Sequence, residues 1–293
     1  MPRTLVAKAL LLFVALVLAW PITTYGAEAL PLAKFEKQIY SQGGEDGVIE
    51  KIFELIEPTQ RFAVEFGAGD GLHGSNVRRL YEQGWRGLQI EGNPAAFKML
   101  VENTKAFPGV VNLNAWIWPG NIEHLFEEVG VPADLDFLVI DIDSNDYWIW
   151  KVIHDFRPKL VQIEYNAAFA PPVSAVVRYH PMNHADSTDY YGASIQALYE
   201  LGKKKGYELV HASENGVNLF FVAEKYFERF GIADNSPEAF YRAPAFGYMK
   251  GGRAPNGRGW LPAESKGPLS YPGGQVGKVF VSPPRWSEVP ASP

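Results

Sequence analysis

The sequence predicts an α/β fold, a doubly wound and mostly parallel seven-stranded sheet that closes on a C-terminal antiparallel hairpin. Three observations carry this expectation. Short apolar runs alternate with helical patterns from residue 45 to residue 164. A glycine-rich turn, with Gly67, Gly69 and Gly71, follows the first of those runs. Asn215-Gly216 separates two apolar runs farther along, which is a hairpin signal.

Val48, Ile49, Ile52, Phe53 and Ile56 recur at helical spacing, so residues 45–57 are predicted as an amphipathic helix. Residues 61–65 form a run short enough for a buried strand, and a helix over 76–83 follows. A strand at 87–90 leads to a helix over 94–106, with Pro94 in the first turn, where its missing N–H costs no hydrogen bond. Strands at 110–113 and 135–140 flank a helix over 122–129. A helix over 147–156 precedes the fifth strand, 160–164. Helical crossovers make successive strands parallel, and ligands of such sheets lie beyond the carboxyl ends of the strands. Gly67, Glu91, Asp141 and Glu164 all fall there. The last part differs, with a helix over 194–204 and apolar runs at 207–212 and 217–223 around Glu214-Asn215-Gly216. A parallel sheet ending in an antiparallel hairpin is the arrangement of class I methyltransferases, whereas dinucleotide dehydrogenases usually continue in parallel.

Composition narrows the class. Of 293 residues 47% are hydrophobic and 14% aromatic, enough for one α/β domain with a large core. The net charge is −6, and the only basic run, Lys203-Lys204-Lys205, suits the end of a helix, so a surface built for nucleic acid is not expected. The absence of cysteine excludes disulfides, thiolate metal sites and cysteine nucleophiles. Residues 1–29 read as a signal peptide or signal anchor, because Arg3 and Lys8 precede an apolar run from Ala9 to Trp20 and Ala27-Glu28-Ala29 offers small residues for cleavage. That run is about twelve residues, against roughly 20 needed to span a bilayer. The expectation is therefore export to the periplasm, the secretory pathway or the medium, with membrane contact only through this segment if it is uncleaved. Residues 30–241 form the expected domain. From 242 to 293 the chain turns to Gly, Pro and isolated aromatics such as Tyr248, Trp260, Tyr271 and Trp286, which predicts an extended tail that wraps the domain or binds something.

Glu65-x-Gly67-x-Gly69-x-Gly71 directly after a strand carries the strongest chemical signal. Glycines let the backbone approach a ligand and turn sharply into the next element. Glu91 ends the second strand, where a carboxylate accepts both ribose hydroxyls of an adenosine cofactor. A dinucleotide fingerprint requires glycine at position 72; this chain has Leu72, which favours S-adenosylmethionine over NAD. The expected cofactor residues are Glu65, Gly67, Ala68, Gly69, Glu91, Asn114 and Asp141.

Four segments, Ser41-Gln42-Gly43-Gly44-Glu45-Asp46-Gly47, Val64-Glu65-Phe66-Gly67-Ala68-Gly69-Asp70-Gly71, Ser75-Asn76 and Gln89-Ile90-Glu91-Gly92-Asn93, together resemble FkbM-type methyltransferases. The resemblance spans residues 40–225. It implies a Rossmann-like fold, S-adenosylmethionine binding and O-methylation, often of a sugar or another small hydroxylated metabolite. It also implies that Gly67, Ala68 and Gly69 pass beneath the methionine moiety and that Glu91 holds the ribose.

Two further groups carry candidate chemistry. Asp141-Ile142-Asp143-Ser144-Asn145-Asp146 ends the fourth strand and Glu164-Tyr165-Asn166 the fifth. Asp141, Asp143, Glu164 and Asn166 offer the oxygen ligands that a hard cation such as Mg²⁺ takes, and such an ion would draw together substrate hydroxyls. In the alternative, Asp141 contacts the cofactor while Asp143, Ser144 and Asp146 cap the next helix. Residues 167–191 are long enough for a lid or substrate loop, and His180 or His184 within it is a candidate general base beside Asp141. Taken singly, each histidine reads first as a surface loop residue; His73 has a similar claim, and Tyr147, Trp148 and Trp150 read as core. The enzyme that these residues predict transfers a methyl group to a small-molecule acceptor. The alternative is an exported or anchored binding or trafficking protein that keeps the fold without turnover.

Overall fold

The computed structural model describes residues 31–184, 186–246, 252–253 and 257–263. The expected leader lies outside the described residues, as do Tyr248, Tyr271 and Trp286 of the tail. In chain order the elements are α1 (Glu45–Ile56), β1 (Phe62–Phe66), α2 (Arg78–Glu82), β2 (Arg86–Glu91), α3 (Pro94–Thr104), β3 (Val110–Asn114), α4 (Ile122–Val129) and β4 (Phe137–Ile140), then α5 (Asp146–Val152), β5 (Leu160–Glu164), α6 (Ile195–Lys205), β6 (Tyr207–Ala212), β7 (Asn218–Ala223) and α7 (Pro237–Phe240).

The seven strands form one sheet in the order β3-β2-β1-β4-β5-β7-β6. The first five are parallel, and β7 runs antiparallel to both β5 and β6. This is the predicted mostly parallel sheet with its closing hairpin. Alternate residues of each strand face opposite layers. Phe62, Val64 and Phe66 of β1 join Phe126, Trp148, Trp150 and Leu198 on one face, while Ala63 joins Ile49, Ile52, Phe53 and Phe220 on the other. Tyr147, Trp148 and Trp150 are buried, as the sequence expects of core residues. Among the described residues no helix is long and apolar enough to cross a membrane.

Three of the boundaries that differ from the sequence expectation do so for a nonlocal reason. Helix α2 begins at Arg78 rather than 76, because the Asn76 N–H donates to Glu65 Oε1 at 2.7 Å and Ser75 Oγ accepts from the Arg78 N–H. Helix α5 ends at Val152 rather than 156, because Glu123 Oε1 accepts the N–H groups of His154 and Asp155 at 2.6 and 2.7 Å. Strand β4 starts at Phe137 rather than 135. The Asp136 side chain, fully buried at the end of the sheet opposite the glycine turn, accepts from the Thr59 and Gln60 N–H groups and lies 3.3 Å from Lys159 Nζ. The Lys203-Lys204-Lys205 triplet closes α6, and Gly206 follows in a left-handed conformation.

Candidate functional site

Strand order reverses between β1 and β4, and the loops that leave these two strands meet there. After β1 the chain turns on Gly67 and Gly69, both left-handed with φ of 63° and 55°. A Cβ on Gly67 would stand 1.9 Å from the Asp141 carbonyl oxygen, so the glycine turn lies flush against the loop after β4. A Cβ on Gly69 would meet nothing within 4 Å, so that side of the turn is open. The Gly69 N–H donates to Glu91 Oε2 at 2.8 Å, and Glu91 Oε1 accepts the Asn93 N–H at 2.6 Å. Asn93 in turn caps α3 by accepting from the Ala95 N–H. From the end of β3, Asn114 Nδ2 donates to the Glu91 carbonyl at 2.7 Å. The Ala68 N–H donates to the Ile90 carbonyl. Gly67, Ala68, Gly69, Glu91, Asn114 and Asp141 are thus gathered around one turn.

Glu65 turns elsewhere. Its buried carboxylate accepts from the Asn76 N–H at 2.7 Å, the Ser75 hydroxyl at 2.9 Å and Gln89 Nε2 at 3.0 Å, so it clamps residues 75–76 to the sheet. Burial pushes its carboxyl up to about 7 against the pull of those donors. Burial likewise raises Asp146 to about 6. Between the ordinary carboxylate range and those values, the folded chain holds protons that the unfolded chain has released, so stability falls as pH rises through that window. Thermal unfolding midpoints are expected to drop from pH 5 to pH 8, with a shallower drop in Glu65→Gln. A midpoint that climbs over this interval would contradict the assignment.

The second half of the site hangs from β4 and β5. Carboxylate oxygens of Asp141, Asp143 and Glu164 all lie within 4.8 Å of one another. Burial, reinforced by neighbouring carboxylates, pushes Asp141 and Glu164 well above the usual range. Asp146 pins the loop instead, accepting the Ile142 N–H at 2.8 Å and the Ser144 N–H at 2.9 Å. A guanidinium that the sequence did not point to stands among the acids. Arg253 Nη2 is 2.9 Å from Asp143 Oδ1 and 3.9 Å from Glu164 Oε1, and its guanidinium lies over the Tyr191 ring, 4.2 Å from the centroid. The fourth expected cation ligand, Asn166, is committed elsewhere. Its Nδ2 donates to the Asp189 and Tyr191 carbonyls at 2.6 and 3.0 Å, and its Oδ1 accepts the Ala168 N–H. It braces the 167–191 loop, so the expected set of four becomes three carboxylates with an arginine.

That loop is anchored by core side chains, with Trp148 Nε1 donating to the Val177 carbonyl and Asn145 Nδ2 to the His180 carbonyl. His180 and His184 are exposed, and their ring nitrogens engage the Met182 backbone: His180 Nδ1 accepts the N–H, while His184 Nδ1 is 2.9 Å from the carbonyl. His73, also exposed, pairs with Asp70. A segment of the tail lies across the same loop. Leu261 pairs its backbone with Val176, the Trp260 ring packs edge-on against Phe169 and Tyr190, and the Ala263 carbonyl accepts from Tyr147 Oη at 3.2 Å. Arg253 and Tyr191 escaped the sequence reading. Arg253 sits 110 positions from its partner Asp143, in a Gly/Pro-rich stretch with no periodicity to orient it.

No family model matches this chain, and no curated protein matches it. Among solved structures it is similar to the N-terminal domain of EvdMO1 with SAH bound, at 12% identity over 61% of this chain and 80% of that one, with a TM-score of 0.40. The same domain in the presence of SAH and D-fucose gives 13% identity, 65% and 93% coverage and a TM-score of 0.40. A TehB-like SAM-dependent methyltransferase from Corynebacterium glutamicum gives 16% identity, 66% and 92% coverage and a TM-score of 0.37. The fold assignment rests on the sheet itself, whose order and closing hairpin give this chain the Rossmann-like arrangement of class I methyltransferases.

Proposed function

We propose that this chain is an S-adenosylmethionine-dependent methyltransferase of FkbM type that O-methylates a small hydroxylated acceptor such as a sugar. One observation carries the cofactor assignment: the Glu91 carboxylate is held rigidly at the end of β2, beside a glycine turn with an open face. A carboxylate has about four lone-pair sites. The Gly69 and Asn93 N–H groups take two, which leaves acceptors for the two ribose hydroxyls. The Gly67–Gly69 backbone would run beneath the methionine half, Asn114 keeps the end of β2 in place, and Asp141 borders the turn at Gly67. S-adenosylmethionine, when bound, supplies an electrophilic methyl group on a sulfonium. The protein's own contribution is then alignment of an acceptor hydroxyl with that methyl group, which lowers the barrier chiefly by removing orientational freedom.

For the hydroxyl proton, Asp141 is better situated than His180 or His184, whose rings engage Met182 on an exposed loop. The Asp141 carboxylate lies with Asp143 and Glu164 at the strand ends, and burial raises its affinity for a proton. The Mg²⁺ expectation gains no support from the donor set, since Asn166 is committed to the loop and Arg253 already brings positive charge to Asp143. Residues 1–29 retain their proposed role as an export signal or anchor, so the cofactor would be met outside the cytosol or before export.

Isothermal titration of the protein with S-adenosylmethionine tests the reading, and a saturable exothermic or endothermic isotherm is expected. Heat no greater than dilution would sink it. Binding without transfer to any hydroxylated acceptor would leave a non-catalytic binding protein.

A further inference from the structure

We infer that Glu164 and Arg253 form a recognition pair for two adjacent hydroxyl groups, so that the ligand received at the acidic end of the site is a vicinal diol. The inference rests on the methyltransferase reading only for the purpose of the site; the pair itself is read from its unsatisfied chemistry. Glu164 Oε2 is buried and has no hydrogen-bond partner among the described residues, and the same is true of Arg253 Nη1. The two side chains are neighbours, with Arg253 Nη2 3.9 Å from Glu164 Oε1. An orphaned carboxyl oxygen and an orphaned N–H donor therefore belong to neighbouring side chains at the carboxyl ends of β4 and β5. Each buried unsatisfied group carries a desolvation cost that a ligand of matching polarity removes.

The surroundings decide which ligand matches. Asp143 fixes the guanidinium through Nη2 and the Tyr191 ring supports its face, so the direction of Nη1 is set before anything binds. An anionic ligand would face three carboxylates against one guanidinium. An ammonium ion or a second cation would satisfy Glu164 but leave Nη1 without an acceptor. An apolar group would satisfy neither. A hydroxyl both donates and accepts. One hydroxyl can pair with Glu164 Oε2, donating to the carboxylate or accepting from the carboxyl, while its neighbour accepts from Arg253 Nη1, and adjacent hydroxyls on a ring already stand at hydrogen-bond spacing. The tail segment that docks on the 167–191 loop through Leu261 and Trp260 follows Arg253 by fewer than ten positions. Acceptor selection is thus contributed partly by residues beyond the strand-helix domain.

The test uses saturation-transfer NMR on the full chain with cis-1,2-cyclohexanediol and cyclohexanol, a pair that differs by one hydroxyl. The diol is expected to bind about tenfold more tightly, the factor that one recovered buried hydrogen bond supplies. Arg253→Gln should abolish the preference. Arg253→Lys retains the charge beside Asp143 but not the forked second donor, so it should keep the fold and also lose the preference. Equal affinity for the two probes, no saturation transfer to the diol, or a preference that survives Arg253→Lys would overturn the inference. Parallel titrations with S-adenosylmethionine separate the two proposals. Cofactor binding without diol preference refutes the recognition pair alone, whereas diol preference without cofactor binding refutes the methyltransferase reading alone.

Discussion

Replacing Glu91 with alanine is expected to weaken S-adenosylmethionine binding by at least about 100-fold, while the protein stays folded. Hydrogen bonds to a charged group contribute about 1.5–3 kcal/mol each, so losing two to the ribose removes roughly 3 kcal/mol or more. The substitution also frees the Gly69 and Asn93 N–H groups, and the turn loses the brace that fixes its shape. Glu91 is only partly buried, at the end of β2 rather than in the core, so unfolding midpoints should move little. Paired calorimetric titrations and thermal melts read both quantities. A wild-type dissociation constant in Glu91→Ala would mean that the ribose lies somewhere else.

Gly67→Ala should act on the fold itself. The added methyl would sit 1.9 Å from the Asp141 carbonyl, a backbone atom that directly follows β4, at a position whose φ of 63° already disfavours a side chain. Left-handed strain of about 1–2 kcal/mol and overpacking of about 1–3 kcal/mol together cost roughly 2–5 kcal/mol. For a domain of this size each kcal/mol lowers the midpoint by roughly 2–4 °C, so a drop on the order of 10 °C is expected. Gly69→Ala is the control. It shares the left-handed φ but faces open space, so it should cost far less stability and should obstruct the ligand instead. Equal midpoints for the two variants would show that the turn and the Asp141 loop do not abut.

The sheet was legible because its signals are local. Apolar run lengths separate strands from helices, crossover helices impose parallel neighbours, and Asn215-Gly216 marks the hairpin. Several of the misread boundaries are set by distant partners. Glu123 stops α5 from 31 and 32 residues away, and Asp136 reaches back 77 positions to Thr59. The glycine turn and Glu91 were legible for the same local reason. Glu65 was not, since a motif gives its position but not that Ser75, Asn76 and Gln89 would saturate its carboxylate. Asn166 and Arg253 illustrate the same limit in opposite directions. Asn166 neighbours the acids in sequence yet is drawn away by the carbonyls of Asp189 and Tyr191, whereas Arg253 is remote in sequence and arrives beside Asp143.

The reversal of strand order between β1 and β4 separates two kinds of change that the chain can accumulate. The glycine turn and Glu91 hang from β1 and β2, whereas the acids, the 167–191 loop and the docked tail hang from β4, β5 and beyond. The halves abut where Gly67 lies flush on the Asp141 carbonyl. Substitutions around Tyr191 or Arg253 are therefore expected to leave the geometry of the glycine turn and Glu91 undisturbed. Under the proposed methyltransferase reading, a lineage carrying this architecture can drift through successive acceptors while its methyl donor stays constant.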